Sequence, residues 1–177
     1  MGGVELVLGG ARSGKSRHAA DLAAASGLPV SYIATARAGD DEMAERIARH
    51  RAERPPAWRV VEEPLALAEA LRREAEEGRF VVVDCLTLWL LNGLEAGEER
   101  FSRERAALLE TAAWLEAADR PAALVGNEVG WGVVPLGALS RRFVDENGWM
   151  HQDLGRLCRR VTLLAAGLPL VLKGEAS

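Results

Sequence analysis

The sequence contains few cysteines, few aromatic residues and almost no lysine. Its two cysteines, Cys85 and Cys158, are too few for a disulfide framework or for an all-cysteine zinc site. No apolar run reaches the roughly 18 residues that a membrane-spanning helix requires. The first residues, Met1 to Glu5, lack the basic flank and long apolar stretch of a signal peptide. We therefore expect a cytoplasmic protein with no integral membrane segment.

The chain carries no excess of positive charge: 22 basic residues face 26 acidic ones, and the net charge is −4. This balance argues against a protein that coats nucleic acid or an anionic membrane. Hydrophobic residues make up 49% of the 177 positions, which is enough to bury a core and excludes global disorder. The length predicts a single domain over residues 1–177.

Only two of the basic residues are lysines, Lys15 and Lys173, whereas twenty are arginines. Such a skew fits genome-wide codon bias better than chemistry. Lysine is nevertheless a compact point charge that arginine does not replace at a tight phosphate site. The retention of a lysine at position 15 therefore points to a specific role.

Short apolar segments alternate with segments rich in helix formers. Strands are predicted over residues 4–8, 30–34, 58–61, 80–84, 122–125, 161–165 and 168–172. Helices are predicted after Ser16 and over residues 40–51, 65–77, 86–92, 103–118, 136–147 and 151–160, with a polar loop around residues 97–99. This alternation predicts an α/β fold, a mostly parallel sheet with helices on both faces.

One segment fits the pattern G-x-x-x-x-G-K-[ST] without a mismatch. This phosphate loop consists of Gly9, Gly10, Ala11, Arg12, Ser13, Gly14, Lys15 and Ser16. It lies between a predicted strand and a predicted helix, the context in which its backbone N–H groups and the helix dipole bind phosphate. Lys15 is expected to reach the β- and γ-phosphates and Ser16 to ligate Mg²⁺. The segment predicts a P-loop NTPase fold that binds a nucleoside triphosphate.

Asp84 ends a continuous apolar strand, the position at which a P-loop protein carries the aspartate that faces the metal ion. A buried strand that merely ends in an acid is the alternative. Cys85 beside it is interpreted as a small core residue rather than a nucleophile.

Of the three histidines, His18 and His151 are interpreted as surface or capping residues. His50 shares a helical face with Arg46 and Arg54. A solvated basic face is one interpretation of this cluster. The other is a histidine that attacks a nucleotide phosphate while guanidinium groups hold the anion.

The polar, glycine-rich residues 127–132 follow a predicted strand. They form either a binding loop or an ordinary connection.

These blocks, in this order, resemble the bifunctional adenosylcobinamide kinase / adenosylcobinamide-phosphate guanylyltransferase family. The matching segments are residues 9–19, 32–36, 41–43 with Arg46 and Ile47, His50 with Arg54, Pro55 and Trp58, residues 84–89 with Asn92, and residues 127–135. The resemblance runs over nearly the whole chain. The phosphate loop alone would indicate only a superfamily, whereas the combination is specific.

The resemblance implies two reactions. A nucleoside triphosphate phosphorylates the aminopropanol hydroxyl of adenosylcobinamide, and GTP then donates GMP through a guanylylated histidine, His50, giving adenosylcobinamide-GDP and pyrophosphate. It implies GTP, ATP and Mg²⁺, a corrinoid substrate, and a homo-oligomer, with a trimer favoured. The nucleotide contacts would be the phosphate loop, Thr35, Ala36, Arg51, Ala52, Glu53, Arg54, Glu62 and Asp84.

The chain departs from the family pattern at two places. Gly126 stands where a hydroxyl residue is usual, and residues 148–153 lack the usual arginine- and asparagine-containing pattern. A polar contact at residue 126 is therefore expected to be absent.

Two other functions remain open on the residues alone. One is a single-activity P-loop kinase without a covalent intermediate. The other is a non-catalytic nucleotide switch, although no charged interaction segment supports it.

Overall fold

The computed structural model describes residues 2–37 and 55–174, and its framework is a seven-stranded sheet. The strands are β1 (Val4–Gly9), β2 (Val30–Ala34), β3 (Arg59–Glu62), β4 (Phe80–Asp84), β5 (Ala122–Asn127), β6 (Arg160–Ala165) and β7 (Leu168–Lys173). Their order across the sheet is β3-β2-β4-β5-β1-β6-β7. All neighbouring pairs are parallel except β6 and β7.

The helices of the described ranges cover both faces of this sheet. They are α1 (Lys15–Ala25), α2 (Leu67–Glu76), α3 (Leu86–Glu95), α4 (Glu98–Ala117) and α5 (Ala138–Leu157). Helix α1 packs on one face, and α2 to α5 pack on the other. The expected α/β architecture with a mostly parallel sheet is confirmed.

Alternation along β1 explains the two faces. Leu6 and Leu8 point into the core beneath α2 to α5, whereas Val7 points into the core beneath α1. All three are almost fully buried. A strand buried on both faces appears in sequence as a mostly apolar run, which is why β1, β2 and β4 could be predicted almost to the residue.

The prediction of two helices over residues 136–147 and 151–160 was wrong. A single helix, α5, runs from Ala138 to Leu157 and passes through Gly148 without a break. A helical glycine costs only about 1 kcal/mol relative to alanine. Buried side chains on both sides of Gly148, including Asn147, Met150 and Leu154, keep the helix on the sheet.

Helix α4 begins earlier than predicted. Gly97 precedes its first turn, and Glu98 and Glu99 lie inside that turn rather than in a loop. Their negative charges complement the partial positive charge of the helix N-terminus. The helix predicted over residues 40–51 lies outside the described residues.

Strands β6 and β7 form a hairpin through Ala166 and Gly167. Both residues have positive φ, 53° and 80°. This is the combination that a two-residue type I′ turn requires. The turn brings the end of β6 beside the phosphate loop.

Candidate active site

Polar residues converge where the parallel strands end, at what we call the carboxyl edge of the sheet. Ala34 of β2 pairs with Glu62 of β3 on one side and with Asp84 of β4 on the other. Gly9 of β1 pairs with Asn127 of β5. Since parallel strands place their carboxyl ends at the same edge, this is the expected position of a ligand site in an α/β fold.

The phosphate loop joins β1 to α1 at this edge, and its first residue has no room for a side chain. A Cβ on Gly9 would lie 2.4 Å from the carbonyl oxygen of Leu164 and 2.6 Å from Ser13 Oγ. The backbone N–H of Gly167 donates to the carbonyl oxygen of Ser13 over 3.0 Å. The β6–β7 turn therefore supports the loop from the side.

Gly14 is the residue that precedes α1, and its φ of 100° lies in the range that favours glycine. The carbonyl oxygen of Gly14 accepts the first helical hydrogen bond, from the N–H of His18 over 2.9 Å. The free N–H groups of the first helical turn thus face the loop, as a phosphate-binding helix N-terminus requires.

The Lys15 side chain folds back over the loop. Its Nζ donates to the carbonyl oxygen of Gly10 over 2.6 Å and lies 3.5 Å from Ser13 Oγ. The residue is only 6% exposed. Burial lowers the pKa of this ammonium group, and the negative charge of Asp84 partly opposes that effect. Asp84 is therefore close enough to stabilise the charged form that would bind phosphate.

Asp84 is held by the neighbouring strand. The hydroxyl of Tyr32 donates to its Oδ2. A carboxylate oxygen here and the Ser16 hydroxyl at the start of α1 are both hard oxygen donors, which Mg²⁺ prefers. No cluster of three or more His, Cys, Asp or Glu side chains suited to a metal ion occurs within residues 2–37 and 55–174. A site built here would therefore use few protein ligands, as magnesium–nucleotide sites do.

Thr35 connects the ends of β2 and β4. Its Oγ1 donates to the carbonyl oxygen of Cys85 over 2.6 Å and accepts from the N–H of Cys85 over 2.9 Å. Asn92 Nδ2 donates to the carbonyl oxygen of Thr35 over 2.8 Å. Thr35 is completely buried. Its hydroxyl holds the backbone after Asp84, while the adjacent Ala36 is partly exposed.

A buried carboxylate lies between β1, α1 and β6. Glu5, the second residue of β1, is 8% exposed and accepts hydrogen bonds from Thr162 Oγ1 over 2.6 Å and from His18 Nε2 over 3.1 Å. Burial acts to raise the pKa of Glu5, but the hydrogen bonds and nearby positive charges outweigh it and lower the pKa. The interpretation of His18 as a surface residue missed this contact. A glutamate within the apolar run of residues 4–8 was the available signal.

An open cleft of about 500 Å³ lies beside the loop, between α1 and the β6–β7 turn. Arg12 and Arg17 line it together with His18 and Asp21. Two guanidinium groups give the mouth of the cleft a positive character that suits an anionic nucleotide.

Three hydrogen bonds hold the backbone at the end of β5. The N–H of Asn127 donates to Thr87 Oγ1 over 2.7 Å, and the N–H of Glu128 donates to the carbonyl oxygen of Gly9 over 3.0 Å. Asn147 Nδ2 of α5 donates to the carbonyl oxygen of Asn127 over 3.0 Å. Residues 127 and 128 are thereby fixed between the phosphate loop and Asp84.

His151 is neither a surface residue nor a helix cap, so that interpretation was wrong. It lies inside α5, is 7% exposed, and its Nδ1 is 3.2 Å from Glu128 Oε1. The prediction failed because the supposed break at Gly148 placed His151 at a helix start. At residue 126 we expected no polar contact. The space that a side chain of residue 126 would occupy is filled by the imidazole of His151.

The described candidate residues thus meet at one edge of the sheet. They are the phosphate loop, Thr35, Ala36, Glu62 and Asp84. His50, Arg51, Ala52, Glu53 and Arg54 lie outside the described residues. Within residues 2–37 and 55–174, every helix is too short or too polar to traverse a lipid bilayer.

Comparison with known structures supports the fold. The P4 protein from bacteriophage phi6, solved in complex with ADP, superimposes with a TM-score of 0.50 at 13% sequence identity. The match covers 95% of this chain and 52% of that one, so the chain spans about half the length of that protein. At this identity the likeness concerns the fold alone, and it agrees with the expected P-loop NTPase fold.

Sequence comparison identifies closer relatives. The bifunctional adenosylcobalamin biosynthesis protein CobP of Pseudomonas aeruginosa is 62% identical over 172 residues, covering 97% of this chain and 98% of that protein. The bifunctional adenosylcobalamin biosynthesis protein CobU of Escherichia coli is 38% identical over 179 residues, and the match covers 95% of this chain and 98% of that protein. A family model for cobinamide kinase / cobinamide phosphate guanyltransferase matches residues 5–172. The resemblance drawn from the motifs is confirmed, and the chain belongs to the cobinamide kinase / cobinamide phosphate guanyltransferase family.

Proposed function

We propose that this enzyme phosphorylates the aminopropanol hydroxyl of adenosylcobinamide and then transfers GMP from GTP to the new phosphate. The products are adenosylcobinamide-GDP and pyrophosphate. The observation that carries the proposal is the phosphate loop at the N-terminus of α1, in a chain whose family performs both reactions. The near full-length identity to a bifunctional relative supports the presence of both activities in one domain, residues 1–177.

In the kinase step, backbone N–H groups of the phosphate loop hold the triphosphate and Lys15 binds its β- and γ-phosphates. The carbonyl oxygen of Gly10 keeps Lys15 over the loop, so the side chain needs little reorganisation. Ser16 and Asp84 would hold Mg²⁺. The ion, when bound, neutralises charge that develops on the phosphates. ATP and GTP are both compatible donors, because the loop contacts only phosphate.

In the second step, His50 is the nucleophile. Its imidazole nitrogen forms a bond to the α-phosphorus of GTP while the bond from that phosphorus to the α,β-bridging oxygen breaks, and pyrophosphate leaves. A phosphate oxygen of the corrinoid then attacks the same phosphorus and releases His50. Arg51, Ala52, Glu53 and Arg54 beside it, with Thr35, Ala36 and Glu62, are the proposed nucleotide contacts. Support for these roles comes from the family motifs.

The remaining partners follow from the same assignment. The acidic net charge of −4 supports a small-molecule substrate rather than nucleic acid. We propose a cytoplasmic homo-oligomer, with a trimer favoured, that binds adenosylcobinamide and its phosphate.

Labelling with α-³²P-GTP and Mg²⁺ tests the covalent step. Wild-type protein should acquire a label that survives base and is lost in acid, as a phosphoramidate does. His50→Ala should acquire none, while Glu99→Gln, on the exposed surface of α4, should label like wild type. Absence of label in GTP-binding wild-type protein, or undiminished label in His50→Ala, would contradict the proposal. An ordinary P-loop kinase would then be the better account.

A further inference from the structure

Glu128 is the first residue beyond β5, the strand that lies between the phosphate-loop strand β1 and the Asp84 strand β4. The hydrogen bond from its N–H to the carbonyl oxygen of Gly9 fixes it at the beginning of the phosphate loop. Its carboxylate is therefore positioned at the carboxyl edge, between the two elements that would hold the γ-phosphate and its metal ion.

One oxygen of this carboxylate is anchored, and the anchor is buried. Oε1 of Glu128 lies 3.2 Å from His151 Nδ1, and the side chains are 19% and 6% exposed respectively. Among residues 2–37 and 55–174, His151 is the only side chain that hydrogen bonds to this carboxylate. Within these described residues, Oε2 has no side-chain partner and is available for a ligand.

The surroundings of His151 decide which of its nitrogens carries the proton. Nε2 is enclosed against Gly126 and has no hydrogen-bond partner in the described part of the chain. A proton placed there would be buried and unsatisfied, which is costly. The neutral imidazole with its proton on Nδ1 leaves only a lone pair at Nε2 and donates to Oε1, which keeps Glu128 an acceptor. Asn147 Nδ2 lies farther from Nδ1, at 3.5 Å, and donates to the carbonyl oxygen of Asn127 over 3.0 Å.

We propose that Glu128 is the catalytic base of the kinase step and that His151 is its positioning residue. This rests on the proposed function. The corrinoid hydroxyl oxygen forms a bond to the γ-phosphorus while the bond from that phosphorus to the β,γ-bridging oxygen breaks. The hydroxyl proton passes to Oε2 of Glu128, the nucleoside diphosphate leaves, and Glu128 later returns the proton to solvent.

The GMP transfer does not need this base. Its acceptor is the phosphate installed in the first step, and the attacking phosphate oxygen is already ionised. Loss of the Glu128 carboxylate should therefore affect one half-reaction and spare the other. A residue that only supports the fold would affect both.

The two half-reactions are measured separately on the full chain. One assay follows γ-phosphate transfer from ATP to adenosylcobinamide, and the other follows GMP transfer from GTP to adenosylcobinamide phosphate prepared beforehand. Glu128→Gln should lower kcat of the kinase reaction about 100-fold or more and leave GMP transfer within about twofold. Glu99→Gln, on the exposed surface of α4, should change neither.

His151→Leu should lower kinase kcat about tenfold with an unchanged KM for ATP, and His151→Gln, which keeps an N–H donor, should recover part of the loss. The proposal is overturned if Glu128→Gln retains kinase kcat within threefold of wild type, or loses both activities equally. If that variant does not fold, Glu128→Asp decides instead. It should lower kinase kcat and spare GMP transfer, and an equal effect on the two reactions would overturn the proposal. Absence of kinase activity in wild-type protein would refute the proposed function itself.

Discussion

The imidazole of His151 fills the space that a side chain at residue 126 would occupy. A Cβ on Gly126 would lie 2.5 Å from His151 Nε2. The two segments expected from the motifs to depart from the family pattern are therefore in contact. A side chain at residue 126 and the imidazole of His151 compete for the same space, so one must shift when the other is present.

A double-mutant cycle measures this exclusion. Gly126→Ala should lower the free energy of unfolding by roughly 1–3 kcal/mol, because the new methyl group overpacks the site. In a His151→Ala background the same substitution should cost under about 0.5 kcal/mol, since the imidazole is gone. Urea denaturation of the four proteins gives the coupling energy, and simple additivity would show that the contact is unimportant.

Adjacent glycines of the phosphate loop should respond very differently to alanine. Gly9→Ala places a methyl group against the backbone oxygen of Leu164, which cannot move without shifting β6. A loss of about 3 kcal/mol or more is expected. Gly10→Ala is the matched control, because a Cβ there meets nothing within 4 Å, and its stability should stay within about 0.5 kcal/mol. Equal urea midpoints for the two variants would contradict this account.

Both thiols should be inert in the native protein. Burial, reinforced by the charge of Asp84, raises the pKa of Cys85 to about 11, and burial with the charge of Glu116 raises that of Cys158 to about 12. At pH 8 only about one thiol in a thousand or fewer is then ionised. Ellman's reagent should modify neither cysteine until guanidinium unfolds the chain, when both react. Rapid reaction of one native thiol would contradict its burial.

Acid should weaken the protein partly through Glu5. Because the pKa of Glu5 is lowered in the folded state, its contribution to stability is present above the ordinary glutamate pKa and is lost as pH falls toward the folded value. Glu5→Gln should therefore be less stable than wild type at pH 7, with the difference shrinking as pH falls below the ordinary glutamate pKa and through the lowered folded-state pKa. Glu110→Gln, on the exposed face of α4, is the control and should follow wild type throughout. A pH-independent difference would mean that charge is not the cause.

Sequence patterns predicted the parts of the fold that depend on local chemistry. The phosphate loop and strands β2 and β4 have strong local signals, namely a fixed glycine–lysine spacing and mostly apolar runs. Helix α5 was misdivided because the tertiary contacts of Asn147 and Met150 outweigh the local preference of Gly148. The pairing of Glu128 with His151 joins residues 23 positions apart and could not be inferred from either neighbourhood. Tyr32 and Asp84, 52 positions apart, present the same difficulty.

The central place of β1 has a consequence for how the chain is made. Its neighbours in the sheet are β5 and β6. β1 precedes both in the chain, so it acquires its second partner only when residue 165 has been synthesised. At roughly 5–20 residues per second, that interval is on the order of ten seconds. The phosphate loop follows β1 directly, so its final support, the β6–β7 turn, is also among the last parts of the sheet to be made. Nucleotide is therefore expected to stabilise the fold at a late stage of synthesis rather than an early one.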